Sequence, residues 1–276
     1  MLSAITVAFA LAHGCAVLGG NRREAEWLVG EVLGCSRAQL ITCPECCLTT
    51  DQQTRLDALL VRCAQGEPLA YVLGHWAFWS LELVVNPNVL IPRPETELLV
   101  EAALARIPVG ASCAVADLGT GSGAIALSVA SERPSSRVTA TDVSMDALAV
   151  AETNARRLGQ TNVTFLAGDW CVPLMGQHFS VILSNPPYIA ENDPHLKALR
   201  FEPQGALTSG TDGLEAIRTL VAESRACLAS GGTLLLEHGH DQGLSVRQRF
   251  AAAGYQDIET LHDLEGRERV TLGRWM

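Results

Sequence analysis

From about residue 111 the chain alternates between two hydrophobic periods. Apolar runs of β type occur at Cys113–Leu118, Arg137–Thr141, Asn162–Leu166, Phe179–Ser184 and Gly232–Glu237. Stretches with helical spacing separate them, at Ala124–Ser131, Met145–Leu158 and Leu214–Ala229. That alternation predicts βαβ units, a parallel sheet and an α/β fold. Two more short runs, Gln256–Leu261 and Arg269–Gly273, lack a full helix between them, and a final antiparallel hairpin accommodates them. In open α/β sheets ligands bind outside the carboxyl ends of the strands, so the residues that follow each run are where chemistry is expected.

Asp117-Leu-Gly119-Thr120-Gly121-Ser122-Gly123 follows the first of these strands and opens a helix. Glycines at such a turn let the backbone approach a ligand closely and take φ values that other residues resist. Asp142 ends the second strand, 19 residues after Gly123, where a carboxylate can accept from both hydroxyls of a ribose. With Ala124 the loop also satisfies G-x-G-x-x-A, so a dinucleotide fits the same letters. Two observations favour S-adenosylmethionine. Asp117 can meet an amino group but would repel a pyrophosphate, and the turn described next suits an amine. Asp169-Trp170, just past the third strand, fits an adenine pocket: the acid accepts from an exocyclic amino group while the ring packs on the base.

Asn185-Pro186-Pro187-Tyr188 ends the fourth strand. Two consecutive prolines remove two backbone donors and fix two φ angles, which holds the carbonyls in a rigid arc. An asparagine oxygen, a proline carbonyl and an aromatic plate then suit a planar NH2 group. Such a group needs two acceptors in its plane and a flat surface against its face. The bland alternative is a turn that merely ends a strand.

The rest of the chain carries less chemistry. The first seventy or so residues read as helices, with Leu2, Ile5, Phe9 and Ala12 as a core-facing stripe. A second stripe comprises Ala25, Leu28, Val29, Val32 and Leu33, capped by Asn21 with Glu24 and stopped at Gly34. Leu56, Leu59, Leu60 and Cys63 form a third, ended at Gly66. This unit's expected work is partner recognition or support. Trp76–Val85 shifts toward a period of two and suggests a pair of strands turning near Trp79-Ser80. A proline-stiffened connector, Asn86-Pro-Asn-Val-Leu-Ile-Pro-Arg-Pro94, leads to a helix over Glu95–Arg106. The expected organisation is a helical domain at 1–73, a hairpin and linker at 74–92, and a catalytic domain at 93–276.

Composition narrows the partners. Hydrophobic residues at 48% against 18% charged describe a well-cored chain, and the net charge of −10 argues against binding driven by phosphate contacts. Arg22-Arg23 and Arg156-Arg157 are too short to make a basic groove. Nine cysteines with no framework spacing favour a reducing compartment, and Cys43-Pro-Glu-Cys46-Cys47 lacks the second pair a zinc site needs. Glu237-His238-Gly-His240 reads as structural, so no metal is expected. No apolar run reaches the ~18 residues of a membrane helix. The expectation is a cytoplasmic monomer without membrane or direct nucleic-acid partners.

The chain resembles the HemK/PrmC group of protein-glutamine N5-methyltransferases. The stretches that carry the likeness are Leu90-Ile-Pro-Arg-Pro-Glu-Thr-Glu97, Asp117–Gly123, Asn185–Tyr188, Arg200-Phe-Glu-Pro203 and Asp212-Gly-Leu214. Asn-Pro-Pro-Tyr alone also occurs in DNA-adenine and ribosomal-RNA methyltransferases. The resemblance implies a Rossmann-like, seven-stranded class I S-adenosylmethionine-dependent domain behind a small helical domain and a hairpin linker. It implies cofactor contacts at Gly119–Gly123, Asp142, Trp170 and Asn185, and substrate contacts at Asn185, Pro186, Pro187 and Tyr188.

The implied reaction methylates the glutamine side-chain nitrogen in the Gly-Gly-Gln motif of class 1 peptide chain release factors and yields S-adenosylhomocysteine. Asn185 and Pro186 would accept the two amide N–H bonds, and Tyr188 would pack on the amide plane. The alternatives are a nucleic-acid amino methyltransferase using the same pocket, a non-catalytic cofactor-binding protein, and a dinucleotide oxidoreductase.

Overall fold

The structure is a computed structural model and describes residues 5–276. It divides into two compact units, residues 1–75 and 76–276. The first is helical: α1 (Val7–Val17), α2 (Arg22–Leu33), α3 (Arg37–Thr42), α4 (Thr50–Ala64) and α5 (Leu69–Leu73). Local chemistry sets these boundaries. Asn21 accepts the Glu24 N–H at the start of α2, and Gly34 ends it at φ 64°. Ser36 with Gln39 and Thr49 with Gln52 make reciprocal capping boxes for α3 and α4. Val7, Leu28, Val29, Leu40, Leu56 and Leu60 form the core of this unit.

The stripe expected along the first helix is corrected. Val7, Ala10 and Gly14 are the buried residues of α1, whereas Phe9 is exposed and stacks on His13. Leu2 lies outside the described residues. α1 is apolar on nearly every side, so periodicity alone does not say which face packs. Close approach decides it: a Cβ on Gly14 would lie 3.3 Å from the Ala25 Cβ. Cys43, Cys46 and Cys47 are free and exposed on the connection between α3 and α4.

In the second unit β1 (His75–Phe78) and β2 (Leu81–Val84) pair as a two-stranded sheet. After them come α6 (Glu97–Leu104), β3 (Ala114–Leu118), α7 (Ala124–Glu132), β4 (Arg137–Asp142), α8 (Met145–Leu158), β5 (Val163–Ala167) and β6 (Phe179–Ser184). The chain ends with α9 (Glu215–Cys227), β7 (Leu228–Glu237), α10 (Gly243–Ala253), β8 (Gln256–His262) and β9 (Glu268–Arg274). Seven strands form one sheet in the order β5-β4-β3-β6-β7-β9-β8. β3 to β7 are mutually parallel, while β9 runs antiparallel to both β7 and β8. α10 escapes the sequence reading because Val246 and Phe250 are its only buried large side chains.

Both faces of the sheet are covered, which explains why the strands read as continuous apolar runs. Val115, Val181, Leu183 and Leu235 enter one core with α6 and α7. Ala116, Ile182, Leu234 and Leu236 alternate into the other, with α9 and α10. The fully buried Asn154 on α8 fastens the hairpin to this body. Its Oδ1 accepts from Val84 N at 2.7 Å, and its Nδ2 donates to the carbonyls of Val84 and Ser122 at 3.0 and 2.9 Å. One side chain thus holds β2 and the glycine loop together.

Asn154→Ala strands one backbone donor and two acceptors in a buried place. It should cost about 2–4 kcal/mol of stability in chemical denaturation, because each unpaired buried group carries its own desolvation penalty.

Candidate active site

Strand order explains why motifs far apart in sequence share one cleft. β5, β4, β3 and β6 are neighbours, with Ala167 opposite Asp142, Thr141 opposite Leu118, and Asp117 opposite Leu183. The residues after these four strands therefore emerge side by side: Gly168–Trp170, Asp142, Gly119–Gly123 and Asn185–Pro187. β3 is also where strand order reverses, the crevice at which doubly wound sheets bind ligands. A cleft of about 230 Å³ opens there.

The glycine loop is shaped by its backbone. Gly119, Gly121 and Gly123 sit at φ 73°, 56° and 83°, a region hostile to other residues. A Cβ on Gly119 would come 3.1 Å from Trp170 Cζ3, so the indole lies against bare backbone. A Cβ on Gly121 would meet nothing within 4 Å, because that glycine borders open space. The N–H groups of Gly119 and Thr120 both donate to the Thr141 carbonyl at 2.9 Å. Thr141 Oγ1 reaches the Trp170 carbonyl at 3.1 Å, with Trp170 itself at φ 39°.

Asp142, at the end of β4, accepts from Gly121 N on Oδ2 and from Ser144 N on Oδ1, each at 2.9 Å. Each oxygen keeps further lone pairs for a diol. Asp169 and Trp170 wall the same cleft, as do Thr120 and Ser122. Asp117 does not: its side chain is fully buried. Its Oδ2 accepts from Thr120 Oγ1 at 2.6 Å and Ala126 N at 3.2 Å, while Oδ1 has no partner among the described residues. Burial pushes this carboxyl up to about 7, against the pull of those two donors and with Asp142 adding to the rise. It shapes the loop from behind.

At the other side of the cleft, Asn185 Nδ2 donates to Thr96 Oγ1 at 3.1 Å, and Pro187 joins the wall. Pro186 is buried and lies outside the wall. Tyr188 is likewise not among the residues of that wall. Its hydroxyl donates to Glu237 Oε1 at 3.3 Å, and its carbonyl accepts from Gln242 Nε2 at 3.0 Å. Burial beside Glu237 raises its phenol. Gly213, at φ 71°, packs directly on that carbonyl, which accounts for the glycine of the Asp212-Gly-Leu stretch.

The remaining wall comes from residues to which the sequence reading gave no role. Leu90, Pro92 and Arg93 face Pro203, Gly205 and Ala206. Glu202, 7% exposed, joins the two segments by accepting from Ile91 N at 3.1 Å and from the Arg93 guanidinium. The signal was present in the Ile-Pro-Arg-Pro-Glu and Arg-Phe-Glu-Pro stretches. Only the fold shows that the arginine of one meets the acid of the other. Among the described residues Arg93 is the single basic one in the wall, where it pairs with Glu202, and the wall also carries Asp142 and Asp169.

These features fit S-adenosylmethionine better than a dinucleotide. Bare glycine backbone, a strand-end carboxylate and a flanking indole share this one cleft. Spare acceptors then suit a cationic ligand, and among the described residues of the wall no free cation awaits a pyrophosphate. Fold and cleft together define an S-adenosylmethionine-dependent methyltransferase.

Sequence comparison narrows the class. A family model described as the PrmC N-terminal domain matches residues 10–74, and one described as the methyltransferase small domain matches residues 94–201. The Escherichia coli (strain K12) release factor glutamine methyltransferase is 50% identical over 256 residues, 92% of each chain. The Coxiella burnetii protein of the same name is 47% identical over 253 residues, 92% of this chain and 91% of that one. This chain belongs to that HemK/PrmC family of release factor glutamine methyltransferases.

Solved structures agree on the fold. A Pyrococcus furiosus methyltransferase superposes with a TM-score of 0.55 at 20% identity, covering 82% of this chain and 98% of that one. A T. thermophilus 16S rRNA N2 methyltransferase, solved with AdoMet and guanosine, gives 0.54 at 20% identity, covering 73% and 50%. Among the described residues no helix is long and apolar enough to cross a membrane.

Asp142→Asn replaces a charged acceptor by a neutral one and leaves a single oxygen for Gly121, Ser144 and the ligand. The affinity for S-adenosylhomocysteine should fall about 10–100-fold by calorimetry, the loss expected for charge-assisted hydrogen bonds.

Proposed function

We propose that this protein transfers a methyl group from S-adenosylmethionine to the side-chain nitrogen of the glutamine in the Gly-Gly-Gln motif of class 1 peptide chain release factors, and so supports translation termination. The observation that carries the reading is the setting of Asn185. Its NH2 is occupied by Thr96, so its oxygen is the end left for a ligand, in the same cleft as the glycine loop and Asp142. The family's named relatives act on release factors, and 92% coverage includes both units of the chain.

Bound S-adenosylmethionine supplies an electrophilic methyl on a sulfonium sulfur, and in-line attack by the substrate nitrogen leaves S-adenosylhomocysteine. What the chain must supply is orientation. An amide nitrogen is a poor nucleophile, because its lone pair is delocalised into the carbonyl. Asn185 Oδ1 and the Pro186 carbonyl accept its two N–H bonds, fix the nitrogen's direction and stabilise positive charge as it develops. Such positioning can lower a barrier by about 7–11 kcal/mol. Tyr188, braced through Glu237 and Gln242, packs its ring on the amide plane. The nitrogen sheds its extra proton to solvent after transfer, so no strong base is required beforehand.

The deciding experiment is mass spectrometry of the Gly-Gly-Gln peptide of a release factor after incubation with enzyme and cofactor. A gain of one methyl on glutamine supports the reading, and an unmodified peptide alongside methylated nucleic acid would replace it. Asn185→Ala should lower turnover about 10²–10³-fold, by analogy with removal of one preorganised polar contact. Its affinity for S-adenosylhomocysteine should change far less. Full turnover in that variant would remove Asn185 from the chemistry.

A further inference from the structure

Gln242 occupies the N-cap of α10, a place whose side chain ordinarily accepts from the first free N–H groups of the helix. It makes no such bond. Its amide turns instead toward the end of β6, the strand beside β7. Oε1 accepts from Gly239 N at 2.9 Å, while Nε2 donates to the Tyr188 carbonyl at 3.0 Å and reaches the Gly213 carbonyl at 3.4 Å. One N–H and two carbonyls admit only this orientation of the amide, because a flip would set donor on donor and acceptor on acceptors.

The partners of that amide are themselves fixed. The Gly239 carbonyl accepts from Gln242 N and from His238 Nδ1, each at 2.9 Å. His238 is fully buried, and its Nε2 lies 2.8 Å from Thr271 Oγ1 on β9. A Cβ on Gly213 would collide with the Tyr188 oxygen and come 2.9 Å from Gln242 Nε2, so only a glycine lets the carbonyl and the amide meet there.

The peptide gripped in this way joins two parts of the cleft. Before it lies the Asn185–Tyr188 turn, of which Asn185 and Pro187 line the cleft. After it, Ile189 N donates to the Leu207 carbonyl and the Ile189 carbonyl accepts from Ser209 N, each at 2.9 Å. Leu207 directly follows the wall residues Pro203, Gly205 and Ala206. Gln242 is not in that wall, so it bears on the cleft through the residues it holds.

We propose that Gln242 is a positioning residue for methyl transfer, holding the Tyr188 carbonyl so that the acceptor turn and the Pro203–Ala206 wall keep one arrangement around the substrate amide. This rests on the reading that the turn receives the glutamine nitrogen. Without the Nε2 donor the Tyr188 carbonyl loses what directs it, and the Pro186 carbonyl, two residues earlier, is held from the β6 side only. In-line attack tolerates little of that, since a displacement of about 1 Å can cost about 10²-fold in rate. The glycine loop follows β3 and does not share the clamp, so cofactor binding should be spared.

The test uses Gln242→Ala and Gln242→Glu in the full chain at about pH 8. It measures kcat and KM on a release factor, S-adenosylhomocysteine affinity by calorimetry, and chemical denaturation to count folded enzyme. Glutamate has nearly the shape of glutamine and still accepts from Gly239, but when ionised it sets lone pairs against the Tyr188 and Gly213 carbonyls. Gln242→Ala should lower kcat about 10-fold, the loss expected for one hydrogen bond of this kind. Gln242→Glu should lower it at least as far. KM and S-adenosylhomocysteine affinity should stay within about threefold, because the clamp acts on the direction of the attacking nitrogen.

Wild-type kcat in Gln242→Ala, wild-type kcat in the isosteric Gln242→Glu, or a loss carried by KM or by ligand affinity would overturn the proposal. If Gln242→Ala does not fold, the isosteric variant carries the test; loss of the fold in both would make Gln242 a residue of stability and overturn the proposal too. If Asn185→Ala is impaired while Gln242→Ala is not, this inference fails and the proposed reaction stands. A fully active Asn185→Ala would mean that the reading beneath it has failed.

Discussion

The cleft depends on one strand pairing, β3 beside β6 in parallel with Asp117 opposite Leu183. It sets the cofactor loop next to the Asn185 turn. Burial alone does not enforce the register, since a strand covered on both faces tolerates a slip that would be fatal where one face meets water. Polar contacts supply what the apolar pattern leaves free. Ser184 Oγ, fully buried, donates to the Leu118 carbonyl at 2.6 Å and ties the ends of the two strands together. One residue earlier on β3, Asp117 holds the loop through Thr120 and the first turn of α7 through Ala126 N. Both contacts lie within two residues of the cleft, where a slip would do most harm.

Much of this was legible in the sequence, and the reason is topological. The motifs at Gly119, Asp142, Asp169 and Asn185 each follow a strand of a parallel sheet, so finding the strands also finds the cleft. β4 and α8 match their expected spans nearly residue for residue, because β-branched runs and a capped amphipathic helix are local signals. What escaped depends on which long-range partner a residue meets. Phe9 looks like core until Gly14 shows that the opposite face of α1 packs closely. That the Tyr188 hydroxyl meets Glu237, 49 residues away, is not visible in the sequence either. Thr96 and Glu202 lie in stretches that resemblance marked, yet spacing gave neither a role.

Electrostatics at the cleft follows from who pairs with whom, not from the count of charges. Arg93 could have made the cleft attractive to phosphate. Glu202 cancels it and at the same time caps Ile91, so the two segments of the wall are joined by charge and by backbone. Asp142 fixes Gly121 and Ser144. The result is a concave cleft walled by Asp142 and Asp169. An effective dielectric below that of water strengthens its attraction for a sulfonium cation. That attraction weakens with the departure of the methyl, because the product sulfur is neutral.

The turn after β6 is built from groups that accept. Asparagine contributes an oxygen once Thr96 has taken its NH2, and the two prolines bring carbonyls but no N–H. A carboxylate offered to such a corner would set lone pairs against lone pairs, and a hydroxyl would satisfy one acceptor and strand the other. An NH2 group has two donors in one plane and meets both. A site of fixed polarity discriminates strongly because the wrong ligand leaves its buried groups unpaired. In the proposed reading, selection of glutamine over glutamate therefore needs no contact beyond those that orient the nitrogen for attack. Specificity and rate come from the same two lone pairs. The buried residues that hold those lone pairs in place are then as much a part of the chemistry as the turn itself.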